Sequence, residues 1–169
     1  MKRVIAFFLT GVCALGVVFT PVAAKAYAEQ NVVEITNIKV DGVWKQVRVV
    51  KAFEDGSRLY EEKPAVIQTV RGGVTSQKAY HHINSSGNRL WSATVVGSFT
   101  YNGSTSSCTS ASCSTTIYNG NWSEQSCSAY PSGNTATGNV TMIRKVLFIV
   151  LETVPVTITL TCDKNGNLS

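Results

Sequence analysis

Two segments of the chain alternate regularly enough to fix where their side chains point. In Trp91–Tyr101 the odd positions are mostly apolar and the even positions mostly hydroxylated, and in Val156–Cys162 apolar residues alternate with three threonines. A period of two directs one face of a strand into the interior and the other into water. Both segments are therefore predicted to be half-buried β-strands, with the side chain of Cys162 on the buried face.

Turn signals divide the rest of the chain into further short strands. Asp41-Gly42 and Asp55-Gly56 separate three strand-like segments and predict an N-terminal β-meander in residues 29–63. Residues 64–169 combine many short strand patterns with closely spaced turns and little helical periodicity. This pattern predicts an all-β fold, an antiparallel β-sandwich preceded by the meander.

The most apolar segment of this second part is Val146–Leu151. It is apolar on both faces and lies in a predicted strand from Thr135 to about Leu151. A helix over Met142–Thr153 is the alternative, but the β-branched residues and the neighbouring strands favour a buried strand. Pro155 predicts a bend or an edge position shortly afterwards.

The N-terminus has the three parts of a secretory signal peptide. Lys2-Arg3 precedes the apolar run Val4–Phe19, and Ala26-Tyr27-Ala28 provides a small-x-small cleavage site. Residues 1–28 are therefore predicted to be removed, and the mature chain to be secreted. The apolar run is shorter than the roughly 20 residues of a spanning helix, so no transmembrane segment is expected in the mature chain.

The predicted cleavage also changes the charge. The full chain has a formal net charge of +5, and removal of Lys2, Arg3 and Lys25 leaves 12 basic and 10 acidic residues. The predicted mature chain therefore lacks the excess of basic residues that is typical of nucleic-acid-binding proteins, so no nucleic-acid partner is expected. Only 15% of the residues are charged, well below the roughly 25% of an average soluble domain.

The predicted mature chain contains four cysteines, and an even number in an exported protein predicts two disulfides. Asn119-Gly120-Asn121 is a hairpin signal, and a three-residue loop centred on Gly120 would place Cys113 opposite Cys127 across the ladder. This pairing leaves Cys108 with Cys162.

Free thiols or a metal site are the alternatives to these disulfides. There is no Cys-x-x-Cys, and the two histidines, His81 and His82, are adjacent in a segment that is predicted to be an exposed polar loop. No metal site and no cofactor are therefore expected.

Several segments of the second half carry a resemblance. They are Leu90–Val95, Phe99–Gly103, Cys108–Ser112, Ser132–Ala136 and Leu160–Cys162. In these segments the chain resembles a domain of small secreted proteins of Gram-positive bacteria. The resemblance implies an extracellular location and a β-rich fold but no activity. Cys113 and Cys127 look like an addition to a simpler pattern that has counterparts of only the other two cysteines.

Catalytic patterns are sparse. Glu124 is the single charged residue between Arg89 and Arg144, whereas a glycosidase needs two neighbouring carboxylates. There is no Gly-x-Ser-x-Gly, and only one of the adjacent histidines can serve a given face of a strand. No catalytic residue is predicted. A hydrolase that unites Glu124 with a second carboxylate or a histidine remains the third hypothesis.

Binding is the preferred hypothesis. In the proposed hairpin Tyr118 and Trp122 would also lie opposite each other, as an exposed platform for a sugar ring or, alternatively, as a cross-strand pair that only stabilises the hairpin. Trp91 is predicted to be in the core, and Trp44 is compatible with either environment. We expect a secreted, non-catalytic extracellular or cell-envelope protein whose partner is a surface glycan or another extracellular protein.

A membrane-active or antimicrobial secreted protein is the second hypothesis. It rests on the apolar run Val146–Leu151, which follows Arg144-Lys145, although six residues cannot cross a bilayer.

Overall fold

The computed structural model describes residues 33–169, and these residues form ten β-strands and no helix. The predicted signal peptide, residues 1–28, lies outside the described residues. The all-β prediction is confirmed. The strands are β1 Glu34–Val40, β2 Val43–Ala52, β3 Arg58–Glu61, β4 Ala65–Val70, β5 Gly73–Ile83, β6 Arg89–Tyr101, β7 Ser106–Ile117, β8 Trp122–Ser132, β9 Thr135–Val146 and β10 Ile149–Thr161.

The strands form two antiparallel sheets that pack as a sandwich. The larger sheet has the order β1-β2-β3-β5-β6-β7, with β4 also paired to β5, and the smaller sheet has the order β10-β9-β8. The main core lies between the sheets. It is built from the inward positions that alternation predicted, including Trp91, Val95, Phe99, Ile158 and Leu160.

The predicted meander is present as β1, β2 and β3, and it continues the larger sheet because β3 pairs with β5. Leu59 belongs to the main core, whereas its neighbour Tyr60 belongs to a second buried cluster. Neighbouring strand residues point to opposite faces, so the second cluster lies on the other side of the sheet. Its members are Ile38, Val40, Val47, Val49, Tyr60 and Ile83.

The Cys113–Cys127 disulfide is confirmed, but the predicted reason for it is wrong. β7 and β8 do not form a hairpin ladder: Cys113 lies opposite Val95 of β6, and Cys127 lies opposite Val140 of β9. The turn between them carries the chain from one sheet to the other. The disulfide therefore joins the two sheets, with its Cα atoms 5.9 Å apart.

The second predicted disulfide is not formed in the structure. Cys108 and Cys162 are buried free thiols of the same core cluster. Their backbones bond to one turn, since the amide of Cys108 donates to Gly133 and the amide of Cys162 donates to Asn134. Alternation correctly placed Cys162 on the buried face, but the thiols donate to the carbonyls of Ser110 and Asp163 instead of bonding to each other.

The predicted strand Thr135–Leu151 is also corrected. It is divided between β9 and β10, which form a long hairpin that turns at Leu147 and Phe148. The apolar run Val146–Leu151 is thus the exposed end of this hairpin instead of a buried strand. Pro155 lies on the exposed face of β10, which is an edge strand, as the prediction of an edge position allows.

Candidate functional site

The end of the β9–β10 hairpin exposes a continuous apolar surface, which we call the apolar tip and define as Val146–Leu151. Leu147 is 84% exposed and Phe148 is 100% exposed, and the other four residues are exposed as well. Single exposed apolar residues are common on proteins, but contiguous apolar patches mark interaction sites. The tip is therefore the leading candidate for a functional surface.

The backbone of the tip is strained. Val146 pairs with Ile149, so Leu147 and Phe148 form a two-residue turn, and their φ angles are +49° and +73°. Two-residue hairpins favour such positive φ values because the turn then matches the twist of the strands, and they normally place Asn or Gly there. A residue with a Cβ in this conformation costs roughly 1–2 kcal/mol. The large apolar side chains of Leu147 and Phe148 thus occupy positions that are unfavourable both for their backbone conformation and for their exposure to water.

The base of the hairpin is anchored in the fold. The amide of Lys145 donates to the carbonyl of Asn121 at 2.8 Å, and Arg144 Nε lies 3.2 Å from Glu152 Oε2. Below this level Met142 and Val154 are buried in the main core. The tip is therefore an extension of a fixed hairpin, with exposed Lys145 directly behind it.

Tyr118 and Trp122 form neither the sugar platform nor the alternative cross-strand pair, since Trp122 pairs with Arg144 of β9. Trp122 is only 5% exposed and packs with Trp91 and His82, with ring centroids 6.0 and 5.2 Å away. Tyr118 is half exposed beside the guanidinium of Arg89. The two rings separate because β7 and β8 belong to different sheets, so the inward face of β8 is core.

Both histidines are buried in β5, contrary to the expectation of an exposed loop. His82 lies among the rings of Phe53, Trp91 and Trp122, and its Nε2 is 3.1 Å from Ser57 Oγ. Burial lowers the pKa of His82 to about 4, so the ring is neutral at pH 7. It acts as an aromatic member of the core.

His81 faces the second cluster, where three polar groups meet. Its Nδ1 is 2.6 Å from Ser92 Oγ, its Nε2 is 3.4 Å from Glu62 Oε2, and its ring stacks on Tyr60. Burial lowers the pKa of His81. Ser92 is buried near the start of β6, between β5 and β7, where its backbone belongs to sheet ladders. We interpret the cluster as a buried hydrogen bond between His81 Nδ1 and Ser92 Oγ, while His81 Nε2 and the Tyr60 hydroxyl have no hydrogen-bond partner among the described residues. The ladder amides beside it do not provide an oxyanion hole.

Glu124, the carboxylate of the hydrolase hypothesis, accepts a hydrogen bond from Thr115 Oγ1 at 2.5 Å on the surface between the sheets. Residues 33–169 contain no group of three or more potential metal-ligating side chains. Over the same residues, no helix is long and apolar enough to cross a membrane.

The comparisons with known proteins add no assignment. The chain matches no protein-family model, no curated protein and no solved structure. The candidate site therefore rests on the geometry described above.

Proposed function

We propose that this protein is an exported, non-catalytic module that binds the interface of a lipid bilayer through the apolar tip. The observation that carries the proposal is the exposure of Leu147 (84%) and Phe148 (100%) in a strained turn. Both the exposure and the strain raise the free energy of the folded state, and a feature of this kind is typical of a binding surface. Transfer of these side chains into an apolar medium lowers the cost of their exposure to water.

The dimensions of the tip fit the interface of a bilayer. Val146 ends β9, Leu147 and Phe148 form the turn, and Ile149–Leu151 begin β10, so the tip extends over about three residues of strand, or about 10 Å at about 3.3 Å per residue. Interfacial segments bury their apolar face about 5–10 Å deep, whereas the hydrocarbon core is about 30 Å thick. The tip is suited to docking at the surface and is too short to span the membrane.

The distribution of charge fits the same partner. The tip itself is uncharged, and Lys145 is exposed at the level where lipid headgroups would lie. A basic residue near an anionic membrane surface contributes about 1 kcal/mol. Glu152 is held by Arg144, so the carboxylate nearest to the tip is neutralised within the protein.

The expected affinity is modest. Burial of a Leu, Ile or Phe side chain contributes about 1.5–3 kcal/mol, so Leu147, Phe148 and Ile149 together contribute about 5–9 kcal/mol before the costs of association. Before those costs this range corresponds to dissociation constants of roughly 0.3 μM to 0.2 mM, so the net binding by a single site is weaker than this and reversible.

Export is part of the proposal, and three features support it. Disulfides persist in oxidising environments, and Cys113–Cys127 is present. The pattern of residues 1–28 and the resemblance to small secreted proteins of Gram-positive bacteria point in the same direction.

The test is flotation of the protein with phosphatidylcholine vesicles, with and without phosphatidylglycerol, together with release of an encapsulated dye. Phe148→Ser should abolish flotation, and Ile67→Ser, which removes an exposed apolar residue from β4, should not. Flotation without dye release supports docking. Dye release would favour the antimicrobial alternative, and equal flotation of Phe148→Ser would refute the role of the tip.

A further inference from the structure

A second candidate site, which we call the Trp44 pocket, lies between the edge of β1 and two turns of the larger sheet. The cavity has a volume of about 260 Å³. Trp44 stands at it with 70% of its surface exposed, whereas Trp91 and Trp122 are buried. The polar side chains that line it are those of Asn37, Lys39, Arg58, Asn84, Ser85 and Ser86.

The walls of this pocket are held by short contacts. The amide of Asp41 donates to Gly87 at 3.0 Å, and Asn84 Oδ1 accepts from the amides of Ser86 and Asn88. Gly87 has a φ of +87°, and a Cβ there would lie 2.0 Å from the carbonyl oxygen of Lys39. The β5–β6 turn therefore packs directly against β1, and the pocket is a permanent feature of the fold.

The charge of the pocket is positive and uncompensated. Lys39 and Arg58 line it and no acidic residue does. Arg48, Arg89 and Arg144 each have a carboxylate within 3.2 Å. Over residues 33–169 neither of the pocket's two cations has such a partner. These two cations are therefore available to an anion.

A larger groove, of about 670 Å³, lies beside the β1–β2 hairpin, and it contains two carboxylates beside its cations Lys45, Arg48 and Lys63. Its Glu61 accepts from Arg48 at 2.9 Å and lies 3.6 Å from Lys78. Its Glu62 lies 4.0 Å from Lys45. Because both carboxylates in that groove already face cations, it offers a ligand less charge than the Trp44 pocket does.

We propose that the Trp44 pocket binds an acidic sugar, a pyranose ring that carries a carboxylate. The exposed indole of Trp44 provides a flat apolar surface for the ring, and Arg58 and Lys39 provide partners for the carboxylate. The amide groups of Asn37 and Asn84 and the neighbouring serine hydroxyls can bond the ring hydroxyls. The volume is below the roughly 300–1,000 Å³ of pockets for drug-sized ligands, so we expect a single ring to fill it.

The sugar can belong to a free glycan or to a lipid headgroup. Gly56 lines the pocket, and its neighbour Ser57 contacts His82, whose ring packs against that of Trp122. Trp122 pairs with Arg144 at the base of the β9–β10 hairpin, so the pocket and the base of that hairpin lie at the same end of the molecule. The pocket would bind the ring in the same way in either molecule. This binding does not depend on the lipid function proposed above.

The test uses the three indole N–H signals of the protein in ¹H–¹⁵N NMR spectra. D-glucuronate, D-galacturonate and N-acetylneuraminate are titrated to millimolar concentrations, with D-glucose and D-galactose as neutral controls. At least one acidic sugar should shift the signal of Trp44 and leave those of the buried Trp91 and Trp122 unchanged. No shift with any acidic sugar, or an equal shift with the neutral sugars, would overturn the proposal.

Variants then locate the site. Arg58→Gln and Trp44→Ala should each weaken binding by about tenfold or more, the first followed by the indole signal and the second by saturation transfer from protein to sugar. Arg71→Gln and Tyr130→Ala, which change an exposed cation and an exposed ring elsewhere, are the matched controls. If the controls weaken binding as much as the pocket variants do, the assignment is wrong.

Vesicles separate the two sources of the sugar. The variant Leu147→Asn/Phe148→Gly, which lacks the two turn residues of the apolar tip, is mixed with phosphatidylcholine vesicles that contain or lack glucuronosyl diacylglycerol. Flotation only with the glycolipid, lost in Arg58→Gln, assigns the pocket to a lipid headgroup. Binding of the soluble sugar without flotation assigns it to free glycans. Glycolipid flotation that survives Arg58→Gln would contradict a site at this pocket.

Discussion

The double variant Leu147→Asn/Phe148→Gly tests both the strain and the exposure of the apolar tip. It converts the turn into Asn-Gly, the pair that suits two consecutive positive φ angles. The wild-type residues have φ values of +49° and +73° and make this turn at the cost of roughly 1–2 kcal/mol per residue. Glycine also stabilises the unfolded chain by about 0.5–1 kcal/mol through its larger backbone entropy, which offsets part of this gain. The net expectation is a gain in unfolding free energy of about 1 kcal/mol.

The assay is thermal unfolding together with vesicle flotation. A gain of about 1 kcal/mol should raise Tm by about 2–4 °C for a chain of this size. Loss of both side chains should weaken lipid binding by at least about 100-fold, since each contributes about 1.5–3 kcal/mol when buried. The variant is thus expected to be more stable and less active, the combination that a strained functional site predicts.

Phe148→Ala is the matched control because it removes the ring but keeps a Cβ at positive φ. It should weaken lipid binding without the gain in Tm. If Leu147→Asn/Phe148→Gly lowers Tm, the two side chains stabilise the fold and the turn is not strained. If it binds vesicles as the wild type does, the tip is not the contact surface.

Three further predictions concern the core. Replacement of Cys113 and Cys127 by alanine should lower the unfolding free energy in urea by about 3 kcal/mol, because a link across 14 residues no longer restricts the unfolded chain. Cys108 and Cys162 should resist alkylation in the folded protein and both react after unfolding, whereas a bridged peptide in a non-reducing map would contradict the free thiols. The pKa of His82 is lowered to about 4 from about 6.5, so between these pH values the unfolded state binds a proton that the folded state does not. The free energy of unfolding should therefore fall by up to about 3 kcal/mol as pH falls from about 6.5 to about 4. His82→Leu should flatten this pH dependence in urea titrations.

The strand content could be predicted from the sequence because alternation is local information. Trp91–Tyr101 and Val156–Cys162 reveal their buried faces within single strands, and the turns at Asp41-Gly42 and Asp55-Gly56 are signalled by residues that accept positive φ. These features need no knowledge of which strands are neighbours.

Strand pairing was harder to predict from the sequence, because alternation within one strand does not show which strands are its neighbours. The turn Asn119-Gly120-Asn121 is compatible with a hairpin and with a corner between sheets, and only the partners of β7 and β8 decide between them. The predicted disulfide between Cys113 and Cys127 was nevertheless correct, because both arrangements bring the two ends of the turn together. The burial of His81 and His82 likewise depends on residues distant in sequence, Tyr60 of β3 for His81 and Trp122 of β8 for His82.

The run Val146–Leu151 was identified from the sequence as the basis of the membrane-active hypothesis, but its exposure and its turn were not predicted, because its composition and its environment disagree. Val146–Leu151 has the composition of a buried strand, and neither Asn nor Gly marks the turn at Leu147 and Phe148. A sequence usually agrees with its fold at every level, and disagreement is expected where function imposes a cost. Here folding gains nothing from the exposed ring of Phe148, and the turn would be more stable without it. An apolar partner that receives these side chains removes the exposure cost, so the segment that sequence reasoning placed wrongly is also the one that best supports a function.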